Sequence, residues 1–164
     1  LVLRRQRQMC IRDRFIGFAR KVLKVRFAPD QGLDWDVAVM FFGSNYRESP
    51  TSFRSTLESL IDDLSPRPVL LLTVTEFRQS RKEVNYIIHD VGAQNTNVHI
   101  LDWARITAAE PGLLNADGLH LSTEGENRIT TEIALALGPA NTLVTDGEGD
   151  CLPCLLYTSP SPRD

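Results

Sequence analysis

The chain has 164 residues, 18 of them basic and 21 acidic, with 42% apolar side chains and a formal net charge of −3. Residues 4–14 and 154–164 back-translate codon by codon onto the two arms of a transposase-based sequencing adapter, so residues 1–14 and 154–164 are expected not to be natural and are set aside in reading the fold. Six basic and two acidic residues lie in those stretches, which leaves 12 basic against 19 acidic side chains and a net charge near −7; this balance argues against a nucleic-acid partner.

The interior of about 139 residues is one domain's worth of chain. Residues 15–140 are expected to form a partial α/β domain and 141–153 an irregular tail. No apolar run approaches membrane-spanning length. Cys151-x-x-Cys154 is not read as a redox or metal motif, because Cys154 belongs to the adapter stretch, and no disulfide framework is implied.

Phe15 to Phe27 could form a helix, and Ala28 to Trp35 reads as a loop. Val37 to Phe42 and Val69 to Val74 are short, nearly unbroken apolar runs, the pattern of strands buried on both faces in a parallel sheet. The spacing of Phe53, Leu57, Leu60, Ile61 and Leu64 predicts an amphipathic helix between them, and that of Val84, Ile87, Ile88 and Val91 predicts a second. Asn97 to Leu101 is a weaker third strand. Ile129, Ile133, Ala136 and Leu137 mark a last helix, with Thr123 and Glu126 as an expected capping box and Gly138-Pro139 as its stop. Alternating strands and helices give an α/β domain with right-handed crossovers, whose functional residues belong at the carboxyl ends of the strands.

Two segments fall at such places. Asp117-Gly118-Leu119-His120 precedes the last helix: a histidine of near-neutral pKa can take a proton from a hydroxyl, and a carboxylate can fix its tautomer and stabilise the imidazolium. In an irregular loop the three-residue separation lets the carboxylate fold back onto the ring, with Gly118 relaxing the backbone between them. A plain turn with a surface histidine is the competing reading. Gly43-Ser44-Asn45 follows the first strand, where an asparagine amide could donate to a developing oxyanion, a contact worth about 3 kcal/mol in a transition state; its competing reading is a turn or capping asparagine. His89 and His99 read as solvated or core histidines, and no residue cluster has metal-ligand spacing. Asp102 and Trp103 could line a site or serve as a helix cap and a packing side chain. Asn85 reads as a helix-surface or loop-bracing residue. Arg78, Arg81, Lys82 and Glu83 read as a solvated helix start. No glycine-rich phosphate loop is present, which argues against nucleotide binding.

Taken together, the ordered motifs resemble the SGNH hydrolases, also called the GDSL esterase family. Gly43-Ser44-Asn45 is similar to that family's Gly-x-Asn block and Asp117-Gly118-Leu119-His120 to its Asp-x-x-His block. The resemblance is closer still to the SGNH domain at the C-terminus of family-three membrane O-acyltransferases. It rests there on Leu72-Thr73-Val74-Thr75, Asn85, Asp102-Trp103-Ala104, and Asp117 to Leu121 with Gly125, in order over roughly Asp36 to Leu137.

That resemblance implies a three-layer α/β/α fold of the flavodoxin-like kind whose first strands are missing here. It implies His120 as general base, Asp117 as its orienting carboxylate, and Asn45 with Gly43 at the oxyanion hole. No metal or organic cofactor is implied. The substrate would be an acyl ester, small or polysaccharide, and O-acetyl groups of a cell-wall or surface polysaccharide are the expected target. The resemblance implies either a parent with an N-terminal membrane acyltransferase domain and this domain extracytoplasmic, or a secreted protein. The family's Gly-Asp-Ser block, which carries the nucleophile, is absent, so the chain as written is expected to be inactive. Ser44 could be proposed as a substitute nucleophile, but its surroundings match the Gly-x-Asn block better. A free-standing esterase of the same fold and a non-catalytic α/β binding domain are the alternatives.

Overall fold

The structure is a computed structural model and describes residues 36–47 and 49–138. The expected helix at Phe15 to Phe27, loop at Ala28 to Trp35, tail from Asn141 and the two stretches expected to be adapter-derived lie outside the described residues.

Three parallel strands, β1 (Ala38–Phe41), β2 (Val69–Leu72) and β3 (Val98–Leu101), form a sheet in that order. The register aligns Ala38 with Val69 and Val69 with Val98. Helices α1 (Pro50–Leu64) and α2 (Ser80–Gln94) connect the strands. A short α3 (Trp103–Ala109), a 3-10 turn at Pro111–Leu113 and α4 (Thr123–Leu137) follow.

The central strand β2 is buried along its whole length, and its residues alternate between two cores as the pleat requires. Val69 and Leu71 pack with Leu57, Leu60 and Ile61 of α1 and Val84, Ile88 and Val91 of α2. Leu70 and Leu72 pack with Trp103, Leu113 and Ile129 on the opposite face. Helices cover both faces, so the α/β expectation is borne out. Each aliphatic side chain fully buried this way contributes about 1.5–3 kcal/mol, which explains why β2 reads as an unbroken apolar run.

The boundaries differ in informative ways. The β2 ladder stops at Leu72, two residues short of the expected Val74, because side chains take over the pairing. Asn85 Oδ1 accepts from Val74 N at 2.8 Å, and its Nδ2 donates to Val74 O at 2.9 Å, reproducing a strand's pair of bonds from a helix. Of the two roles weighed for Asn85, loop bracing is the one observed, and the side chain is buried. The cap of α4 is corrected by one residue. Ser122, not Thr123, is the N-cap, its hydroxyl accepting from Gly125 N at 3.1 Å, so the expected Thr123/Glu126 box does not form. The left-handed Gly138 ends the helix where expected.

Candidate functional site

Between the 3-10 turn and α4 the chain folds back on itself. Leu114 and Leu121 form an isolated antiparallel bridge, Asn115 N donates to His120 O at 2.8 Å, and Ser122 N donates to Leu113 O at 3.0 Å. The tip of this loop turns through Gly118, whose φ of +66° is costly for any residue with a Cβ.

Asp117 is held from two directions. Its Oδ1 accepts from the backbone N–H groups of Leu119 and His120, both at 2.9 Å. Its Oδ2 lies 2.5 Å from His120 Nδ1. A carboxylate there fixes the imidazole with its proton on Nδ1, which makes Nε2 the ring nitrogen able to take up a proton. Both side chains are about half exposed, at 49% for Asp117 and 53% for His120, so a substrate can reach them.

The same bonds act on the titration of Asp117. The His120 side chain foremost, then the backbone N–H groups of His120 and Leu119, pull its pKa down from 3.8 to about 2. A depressed carboxylate stabilises the fold above its unfolded pKa and loses that contribution as pH falls, here between 3.8 and about 2. Carboxyl carbon NMR of Asp117 should therefore show a midpoint near 2, rising toward 3.8 in His120→Ala. A midpoint near 3.8 in the unaltered chain would contradict the contact.

The Gly43-Ser44-Asn45 turn starts two residues beyond β1. Gly43 has φ +115°, and a Cβ there would stand 2.5 Å from Val84 Cγ1, so glycine is required both for the turn and for its approach to α2. Gly43 O accepts from Tyr46 N at 3.1 Å. The Tyr46 hydroxyl donates to Glu83, and its ring packs edge-on against Phe53. Asn45 itself is half buried. Because the strands are parallel, this turn and the loop after β2 lie at the same edge of the sheet. Phe77 of that loop reaches the Asp117–His120 loop, with its Cβ 3.5 Å from where a Cβ on Gly118 would be.

Asp117 and His120 are thus in direct contact, while Gly43 and Asn45 share a separate turn linked to them through Arg81 and Phe77 together. Arg81 was expected at a solvated helix start; this is corrected, since Arg81 is buried at 4% exposure. Its guanidinium is covered by backbone carbonyls and the Phe77 ring. Arg78, Lys82 and Glu83 are exposed as expected.

Asp102 is the N-cap of α3, accepting from Arg105 N at 3.2 Å and from Thr73 Oγ1 at 3.0 Å, and Trp103 is fully buried. Capping and packing are the roles observed for this pair. His89 and His99 are exposed. Among the described residues no group of three His, Cys, Asp or Glu side chains could hold a metal ion, and no helix is long and apolar enough to cross a membrane. A groove of about 380 Å³ lies between α2 and α3, lined by residues including Glu76, Lys82, Tyr86 and Arg105 rather than by Asp117 or His120.

No family model matches the chain. Over 77 residues it is 26% identical to the O-acetyltransferase OatA of Staphylococcus aureus (strain NCTC 8325 / PS 47), a match covering 47% of this chain and 13% of that protein. The OatA of strain COL gives the same identity and coverage. The chain therefore spans a small part of the curated relatives it matches. Among solved structures it is similar to the lipase/acylhydrolase from Enterococcus faecalis, with a TM-score of 0.62 and 26% identity, covering 74% of this chain and 69% of that one.

Proposed function

We infer, from the premise that the chain belongs to the SGNH hydrolase family, that it is the base-bearing part of a serine esterase or O-acyltransferase acting on O-acetyl esters of a cell-wall or surface polysaccharide. The observation that carries this reading is the Asp117 carboxylate 2.5 Å from His120 Nδ1, in an exposed loop linked through Phe77 to the carboxyl edge of a parallel sheet.

In the proposed reaction a serine from a Gly-Asp-Ser block outside this chain attacks the ester carbonyl, and His120 Nε2 takes the hydroxyl proton. Asp117 keeps the ring in the required tautomer and balances the imidazolium charge. Asn45, beside Gly43, donates to the oxyanion of the tetrahedral intermediate, a contact worth about 3 kcal/mol. When the intermediate collapses the carbonyl–alkoxide bond breaks, and the leaving alcohol takes the proton from His120. Water or a sugar hydroxyl then attacks the acyl-serine by the same steps, giving hydrolysis or transfer. The Enterococcus faecalis acylhydrolase, matched over 69% of its length, favours a free-standing esterase as the second reading.

Expressed from the uninterrupted gene, the protein should hydrolyse p-nitrophenyl acetate and release acetate from an O-acetylated polysaccharide. The 164-residue chain should show only the buffer rate. Ester hydrolysis by a well-folded preparation of that chain would contradict a nucleophile lying outside it. An inert full-length protein would leave Asp117 and His120 as loop residues of a binding domain.

A further inference from the structure

Arg81 is the one buried arginine among the described residues, at 4% exposure. Removing a guanidinium from water is costly unless its donors and its face are met. One arm, NH2, donates to Ser44 O at 2.6 Å. The other, NH1, donates to Tyr46 O at 3.2 Å and to Ser80 Oγ at 3.0 Å. The cation also lies 4.9 Å from the centre of the Phe77 ring. Stability alone does not account for this choice, because a buried charge is commonly replaced by an apolar side chain of similar shape with little or no loss.

The position of the contacts does account for it. The two accepting carbonyls belong to the residues on either side of Asn45, so the planar fork grips the backbone before and after that one side chain. The ring beneath the cation belongs to Phe77, whose Cβ is 3.5 Å from where a Cβ on Gly118 would be, next to Asp117. We propose that Arg81 is a positioning residue that fixes the Asn45 turn relative to the Asp117–His120 loop, with Phe77 as the spacer between them. Its importance to chemistry rests on the reading of Asn45 as an oxyanion donor; its action on the turn does not.

The fork geometry separates two substitutions. Arg81→Met keeps the length without charge, and Arg81→Lys keeps the charge on a single ammonium nitrogen in place of the planar, two-armed fork. In the 15N-labelled 164-residue chain, both variants should speed amide exchange at Tyr46, whose N–H is bonded to Gly43 O, by about tenfold or more. Both should also shift the side-chain amide resonances of Asn45, while exchange at Leu71 and Val91 stays within about twofold. Wild-type Tyr46 exchange and Asn45 resonances in Arg81→Lys would overturn the proposal, as would a rise at Tyr46 matched at Leu71 and Val91. Should Arg81→Met fail to fold, Arg81→Lys decides alone. These readouts do not involve ester chemistry, so an inactive full-length protein would sink the esterase reading and leave this result standing.

Discussion

Gly125→Ala is expected to destabilise the fold by about 3 kcal/mol, at the upper end of what overpacking costs. A Cβ at Gly125 would stand 1.9 Å from Leu113 O and 2.9 Å from Leu113 C. These are backbone atoms, so no rotamer change relieves the clash. The 3-10 turn and the first turn of α4 must separate, and they are held together by Ser122 N donating to Leu113 O at 3.0 Å and Ser122 Oγ donating to Gly112 O at 2.8 Å. Leu113 and Ile129 pack in the core below them and would lose contact as the elements part. For a domain of this size the loss corresponds to a fall in Tm of roughly 10–20 °C. Gly112→Ala, with nothing within 4 Å of the added Cβ, is the internal control. It should stay within about 0.5 kcal/mol of wild type. Thermal unfolding followed by circular dichroism compares the two. Equal melting temperatures would show that α4 does not need glycine for this approach.

The second large effect concerns activity rather than stability. In the full-length esterase proposed above, Asp117→Asn should lower kcat by on the order of 10⁴, the cost in such triads of keeping the orienting group's shape while losing its charge and tautomer control. His120→Ala should fall at least as far. Both side chains are about half exposed and lie outside the two cores, so both variants should still fold, losing the stabilising Asp117–His120 contact but far more of kcat. Steady-state kinetics on p-nitrophenyl acetate beside a melting curve reads that split. Variants that melt normally and keep wild-type kcat would remove Asp117 and His120 from the chemistry.

The sheet was legible because burial on both faces leaves a mark that composition carries directly: Val69 to Leu72 can be read as a central strand without knowing its partners. The helices were legible from periodicity. Helix α3 was not, because seven residues, with Trp103 and Thr107 as their buried side chains, give too short a stretch for a periodic signal. The cap of α4 slipped by one because Ser122 and Thr123 are both capping residues; the choice is made by the Ser122 bonds to Leu113 and Gly112 across the loop.

Asp117 and His120 could be singled out because their contact is local, three residues apart. Arg81 could not, since a basic residue in a helix's first turn looks solvated until the Asn45 turn is known to lie over it. Gly125 stood in the sequence as part of a motif, and its packing against Leu113 gives that position a physical reason. The signal that could have found Arg81 was its helical phase. It lies three residues before Val84 and seven before Ile88, on the buried face of α2.

Asp117 and His120 are proposed to serve a serine encoded outside this chain. The sequence of the source DNA upstream of the Phe15 codon tests that proposal most directly. An apolar strand followed by Gly-Asp-Ser in the same reading frame is the expected result; an open frame that continues upstream with no such serine would contradict the proposal and leave the domain a binding module.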